Sequence, residues 1–230
     1  MPGYGYGYGY SSQRGAGGSA TPLAILDVDN GGVASADPTR AIFTVPIGAV
    51  AGDIMAFWAT SRDSADTHSI SGGSGTRNTI GEKNSTSGSS YSMSLHTYII
   101  GAGDTAGSTQ ITIASTQTFT NFAVAAITVQ GTSGIDVSGT PAQIGGFNTN
   151  STAPSVNTTV DDALVIFGVG QPTSNTYSSG TYTEQVEATV GSAGLAVYSF
   201  VKATAGSTGA LTVTASASNY NYGSTIAFKP

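Results

Sequence analysis

The chain contains no cysteine. Disulfides, zinc–thiolate sites and thiol catalysis are thereby excluded. Charge is nearly as scarce. Asp, Glu, Lys and Arg make up 9% of the 230 residues, against about 25% in an ordinary soluble domain. The four arginines and three lysines are scattered singly. A nucleic-acid surface needs clustered cations to displace phosphate counterions, so nucleic acid is not an expected partner. No apolar run approaches the ~20 residues of a membrane helix. No basic stretch followed by an apolar one opens the chain, so no secretory signal is expected and synthesis in a cytoplasm is.

What fills the space is small and polar: 32 glycines and 30 serines. Solubility must then come from hydroxyls and amides. The low charged fraction leaves little electrostatic repulsion between copies, which suits a protein packed closely against itself; the net charge is −6. The length fits one large β domain, since sandwiches and barrels often run ~200–250 residues.

Residues 1–20 are of low complexity and hold four of the eleven tyrosines, Tyr4, Tyr6, Tyr8 and Tyr10, each preceded by glycine. The segment lacks the aliphatic residues of a core. In an extended chain the Gly–Tyr alternation puts all four rings on one face, a strip able to stack on a partner or pair with its sheet edge. It is expected to act as an N-terminal arm.

From residue 21 the pattern becomes strands between turn residues. Strands are expected at 23–28, 41–45, 53–60, 92–100, 110–114 and 122–130, then at 155–160, 163–169, 181–186, 194–202, 210–214 and 225–228. Residues 69–90 read as loop by composition, and no helical period exceeds a turn. The second set echoes the first. Ala106-Gly107-Ser108-Thr109 recurs as Ala205-Gly206-Ser207-Thr208. Residues 52–59 resemble 161–168, residues 111–115 resemble 211–216, and residues 123–129 resemble 222–228. The expected fold is an all-β, antiparallel, jelly-roll-like β-sandwich over 21–230. It would be built from two similar halves, about 21–131 and 152–230, whose two equivalent sheets pack face to face.

Four stretches carry a resemblance. They are Val45-Pro46-Ile47-Gly48 through Gly52-Asp53-Ile54-Met55, Ala126 through Gly131, Ala153-Pro154 through Val165, and the closing Phe228-Lys229-Pro230. Together they resemble a pattern of tailed-bacteriophage virion β-sandwich proteins, over about residues 40–230. The resemblance implies a structural virion component, a capsid decoration or cement protein or a tail accessory, with no enzymatic activity. Its expected location is the virion. Its expected partners are the major capsid protein and copies of itself, as a trimer.

No catalytic residue, metal ligand or cofactor site is expected. His68 reads as a loop residue and His96 as a strand residue, neither with a carboxylate at ligand spacing in sequence. Asp27-Val28-Asp29-Asn30-Gly31-Gly32 hints at a calcium loop, but Pro38 stands where an EF-hand needs an acid. Glu184 and Glu187 read as solvated edge charges. Tyr177, Tyr220 and Tyr222 read as loop tyrosines that plug the sandwich ends or face neighbouring subunits. The alternative is a tail or fibre adhesin, a carbohydrate-binding sandwich whose loop tyrosines stack on sugars.

Overall fold

The computed structural model describes residues 22–32, 39–62, 66–85, 91–117, 121–144 and 147–230. The Gly/Tyr-rich segment, with Tyr4, Tyr6, Tyr8 and Tyr10, lies outside them. Among the described residues there is no helix. The first half forms β1 (Ala24–Gly32), β2 (Arg40–Thr44), β3 (Ile54–Ser61), β4 (His68–Gly72), β5 (Thr76–Asn84), β6 (Ser92–Ile99), β7 (Gln110–Ser115) and β8 (Phe122–Gln130). The second forms β9 (Gly134–Gln143), β10 (Asn148–Ala153), β11 (Asn157–Thr158), β12 (Ala163–Gln171), β13 (Tyr177–Ser178), β14 (Thr183–Val190), β15 (Ala193–Lys202), β16 (Gly206–Ser207), β17 (Leu211–Asn219) and β18 (Tyr222–Lys229).

The two halves share one strand order. The first builds a five-stranded sheet, β1-β8-β3-β6-β5, and a three-stranded sheet, β2-β7-β4. The second builds β9-β18-β12-β15-β14 and β10-β17-β13, with a short β11-β16 ribbon beside them. The strand pairs are antiparallel, and even the irregularities recur. The β1–β8 ladder shifts at Leu26 and the β9–β18 ladder at Asp136. The β5–β6 ladder shifts at Ile80 and the β14–β15 ladder at Gln185. Each shift bends and twists an edge strand at the equivalent place.

Three buried clusters define four layers. The two five-stranded sheets face each other across a central core that includes Trp58, Leu95, Ile127, Ile166, Val197 and Phe228. The outer face of the first is covered by its own three-stranded sheet, with Phe43, Phe57, Tyr98 and Ile113 between them. The outer face of the second is covered likewise, over Phe167, Tyr198, Leu211 and Val213. The middle strands β3, β8, β12 and β18 are therefore buried on both faces, which is why they read as continuous apolar runs rather than alternating ones. An antiparallel sandwich architecture is thus present. The expected single pair of sheets is corrected to two sandwiches joined through their larger sheets, because each sheet is apolar on both faces and needs a cover on each.

Several expected loops are strands. Residues 69–90 contain most of β4 and all of β5, and β9 and β10 lie between the strands expected at 122–130 and 155–160. The expected strand at 155–160 reduces to β11, with β10 preceding it. The run Asp27 to Gly32 belongs to β1, which extends past the strand expected at 23–28.

The scarce charges gather at sheet edges. Asp27 and Asp29 lie on β1, Arg77, Glu82 and Lys83 on β5, Asp136 on β9, and Glu184 and Glu187 on β14. These are the four edge strands of the two large sheets. Charge on an edge, and Pro141 within β9, discourage pairing with another chain.

Equivalent ends of the halves lie on one side of the molecule. The Tyr91 hydroxyl donates to the Gly194 carbonyl at 3.0 Å, and the Ser192 N–H donates to Asn121 Oδ1 at 2.9 Å. The rings of Tyr91 and Tyr222 meet at 4.7 Å. All three contacts join the Ser61 end of the first half to the Gln171 end of the second. β1 begins at the opposite end, where Ala24 pairs with Gln130. β1 therefore begins at one end of the molecule, and the Ser61 and Gln171 ends lie together at the other, the far end.

Candidate functional site

The most chemistry-bearing cluster lies between β4 and β6, in the outer core of the first half. β6 alternates so that Met93 and Leu95 enter the central core while Ser94, His96 and Tyr98 face the smaller sheet. His68 opens β4 opposite Ser115 of β7 and is buried, so its reading as a loop residue is corrected. Its Nδ1 lies 2.8 Å from Ser94 Oγ, and its Nε2 lies 3.3 Å from Asp66 Oδ2 and 3.3 Å from Ser61 Oγ. His96 Nε2 lies 2.8 Å from the same Ser94 Oγ, and its Nδ1 lies 3.0 Å from Thr79 Oγ1. Asp66 accepts from Ser115 Oγ at 2.7 Å and from the Thr116 N–H at 3.0 Å. The His68 N–H donates to Glu82 Oε1 at 3.2 Å.

The electrostatics follow from burial and these bonds. Burial alone would raise the Asp66 carboxyl, but hydrogen bonds from His68, Ser61 and Ser115 overcome it and hold Asp66 well below the usual carboxylate range. Burial, with the charge of His68 second, pushes His96 down to about 3. His96 is therefore neutral at physiological pH. Burial raises Glu82, more than its attraction to His68 lowers it.

Asp66, His68 and Ser94 have the composition of a nucleophilic triad, assembled two residues apart on one strand edge and across to another. The sequence reading overlooked Asp66, whose x-spaced partnership with His68 was visible in Asp66-Thr67-His68. The second half shows what the cluster does. Strand register places Asn175 at the position of Asp66, Tyr177 at that of His68, Ala196 at that of Ser94 and Tyr198 at that of His96. The backbone and carboxylate bonds recur there. The Tyr177 N–H donates to Glu187 Oε2 at 3.1 Å, as His68 does to Glu82. The Tyr198 hydroxyl donates to Glu184 Oε2 at 3.0 Å, as Thr79 partners His96. Asn175 bonds Gln171 and, through Nδ2, the Ala217 carbonyl at 3.0 Å. One framework thus holds an imidazole set in one half and a phenol set in the other. In both it ties the small sheet to the large one. Ser94, Asp66 and His96 are fully buried. Among the described residues no three metal-ligating side chains converge.

The loop tyrosines separate into two kinds. Tyr177 and Tyr222 are buried, in the second outer core and the central core respectively, so they plug the body, and their reading as loop residues that contact neighbours is corrected. Glu184 and Glu187 are likewise engaged, as acceptors for Tyr198 and the Tyr177 backbone. Tyr220 is half-buried at the far end, and there the sequence reading missed its partner. Phe147, 65% exposed, meets Tyr220 edge to face, with ring centroids 5.9 Å apart and planes at 85°. No pattern marks Phe147 in the sequence beyond an aromatic residue within a Gly- and Asn-rich stretch.

In comparisons with known proteins, no family model matches the chain, and neither a curated protein nor a solved structure does.

Proposed function

We propose that this chain is a structural virion protein of a tailed bacteriophage, a capsid decoration or cement protein that bridges neighbouring subunits through its Gly/Tyr-rich segment and sandwich surface. The observation that supports the reading is a body whose most reactive side chains are buried and engaged with one another. In this reading the Gly/Tyr-rich residues that precede β1 supply the contacts. Each half is read as a jelly roll: β1-β8-β3-β6 facing β2-β7-β4 is the strand order of that wrap, and β5 has moved to the larger sheet. Jelly rolls are frequent in viral capsid and lectin domains. In this reading the protein carries no catalysis. Its work is association free energy, supplied by Tyr4, Tyr6, Tyr8 and Tyr10 where they stack on a capsid subunit or a second copy.

The test is binding of purified tailed-phage capsids by the full chain and by a chain lacking residues 1–20, with capsid rupture temperature as a second readout. The full chain is expected to bind saturably and raise the rupture temperature, and the truncated chain to lose at least tenfold in affinity. Equal behaviour of the two chains removes the arm from the mechanism, and no binding by either rejects the capsid reading.

A further inference from the structure

The second half leaves open a strand edge that the first half closes. In the first half β4 lines β7 from His68 opposite Ser115 to Gly72 opposite Ile111. In the second, β13 meets β17 at Tyr177 opposite Ala215 and Ser178 opposite Thr214, and then leaves it. The difference lies in the hairpin that follows. From Tyr177 to Glu184 it is four residues shorter than its counterpart from His68 to Thr79. Ser179 ends it early, its Oγ accepting the N–H groups of Thr181 at 3.1 Å and Tyr182 at 3.0 Å.

The consequence falls on Thr212. The Ser216 N–H donates to the Thr176 carbonyl at 2.9 Å, on the β13 side. Backbone groups alternate along a strand, so Thr214 and Thr212 face that side too. Ser178 stands opposite Thr214, but among the described residues nothing bonds the backbone N–H and C=O of Thr212. Thr212 is exposed, whereas its counterpart Thr112, opposite Ser71, is half-buried. The core below is nonetheless closed. Leu211 and Val213 are buried, and Tyr182 packs against the same cluster, its ring 4.9 Å from that of Phe167 and 5.4 Å from that of Phe200.

The first half shows what kind of chain fits such an edge. It finishes there with Gly72 and Gly73, where a Cβ would stand 2.2 Å from the Gln110 carbonyl oxygen and 2.0 Å from the Tyr98 hydroxyl. A strand laid along β17 must likewise be small on its inward face. The edge is also unguarded: β10, β13 and β17 hold no Asp, Glu, Lys or Arg, unlike the edge strands of the large sheets. Residues 3–10 read Gly-Tyr four times over and carry no charge. Paired in extended form, they would set glycines opposite Leu211 and Val213 and a tyrosine opposite Thr212 on the outer face, an aromatic against a β-branched side chain.

We infer that the open edge of β17 is the docking site for the Gly/Tyr-rich segment of a second copy, added antiparallel as a strand. The choice of a second copy rests on the reading of that segment as a bridge between subunits. Extended, the 21 residues before Pro22 span roughly 70 Å, enough to reach a neighbouring body. Main-chain hydrogen bonds supply the affinity, and the Gly–Tyr alternation supplies the register.

The experiment is sedimentation velocity of the full chain from micromolar to millimolar, without capsids. The unaltered chain is compared with Thr212→Pro, with Thr212→Ala, and with Gly5→Val, Gly7→Val and Gly9→Val combined. Proline at 212 removes the open N–H and leaves the Leu211 and Val213 rungs to β10 in place. Reversible self-association is expected, weakened at least tenfold by Thr212→Pro and by the triple valine variant, and retained by Thr212→Ala. The valine variant keeps every tyrosine and alters no described residue, so it decides the matter where Thr212→Pro lowers the melting temperature. Association that survives the valine substitutions overturns the inference. So does a monomer at every concentration, including one whose segment folds back on its own β17. Capsid attachment, measured on the same chains, reports on the capsid reading separately: attachment without self-association ends this inference and leaves that reading standing.

Discussion

Trp58 lies against Gly168, and the two occupy equivalent positions in the two halves. Register aligns Ile54 with Leu164 and Ser61 with Gln171, which brings Trp58 onto Gly168. Contact between a position and its own counterpart is what a two-fold relation produces, as at the centre of a symmetric dimer interface. Here the relation is broken as far as side chains allow, with the largest residue on one side and the smallest on the other. A Cβ on Gly168 would stand 2.2 Å from Trp58 Cδ1, and one on Gly170 would stand 2.2 Å from the Tyr91 hydroxyl. The glycines of β12 are therefore the sockets for two rings of the opposite sheet.

Substitution at this contact is expected to be costly from either side. Trp58→Ala removes a fully buried indole and should cost about 3–5 kcal/mol. Gly168→Ala forces the indole or a strand to move and should cost about 1–3 kcal/mol. Equilibrium urea unfolding, followed by the emission of Trp58 for the second variant and by circular dichroism for both, measures these. A Gly168→Ala variant as stable as the parent would show that the halves do not pack through this socket.

Acid should weaken the first half before the carboxylates titrate. His96 is held at about 3 in the folded chain and returns to about 6.5 when unfolded. The unfolded state therefore binds the extra proton as pH falls below 6.5, and stability is lost at roughly 1.4 kcal/mol per pH unit, about 2 kcal/mol by pH 5. Asp66, lowered, adds its loss only at still lower pH, while Glu82, raised, is relieved by acid and opposes the trend. His96→Gln should flatten the dependence between pH 6.5 and 5. Urea midpoints at pH 7, 6 and 5 for both chains are the check, and parallel slopes would refute the assignment to His96.

Asp66 holds the corner between β4 and β7. It accepts from Ser115 and from Thr116, and a buried carboxylate's bonds are worth more than neutral ones. Asp66→Ala should cost about 2–4 kcal/mol by stranding those donors and His68. Asp66→Asn, the residue that the second half carries at Asn175, should recover about half of that. Thermal unfolding of the two variants separates them; equal losses would mean that the charge, not the bonding pattern, is what the corner requires.

Asp162 has φ of 56°. Its counterpart is Gly52, with φ of 97°. A left-handed backbone costs an L-residue roughly 1 kcal/mol, somewhat less for Asp. Asp162→Gly is expected to be neutral to stabilising by about 0.5 kcal/mol, whereas Asp162→Val should destabilise by more than about 1 kcal/mol. Differential scanning calorimetry on both resolves the sign.

Sequence and structure agree best where burial is greatest. β3, β6, β8, β12, β15 and β18 are legible as apolar strands, and the correspondence of 123–129 with 222–228 matches the register. The correspondence of 52–59 with 161–168 is one residue short, because Asp161-Asp162 imitates Gly52-Asp53 in composition while Asp162 takes the place of the glycine in geometry. β4, β5, β9 and β10 are not legible. They are edge or outer strands with few apolar residues among Ser, Thr, Gly, Asn and charged side chains, so no sustained alternation between water and core marks them. The Asp66–His68–Ser94 network escaped because its members come from β4, β6 and the loop before β4, and the Phe147–Tyr220 contact because its two rings are far apart in the chain and meet only when β10 pairs with β17.

The placement of charge on β1, β5, β9 and β14 has a consequence for how the protein fails. Most of that protection is carboxylate: Asp27, Asp29, Glu82, Asp136, Glu184 and Glu187. Strong acid discharges these groups while leaving the backbone donors and acceptors of the edges untouched. A chain this rich in small polar residues then has little left to keep one open ladder from accepting another. Arg77 and Lys83 keep β5 charged in acid, so the precipitate at low pH should be ordered and grow strand by strand from the β1, β9 and β14 rims, whose charges are all carboxylates, and returning to neutral pH should restore the charge on those rims.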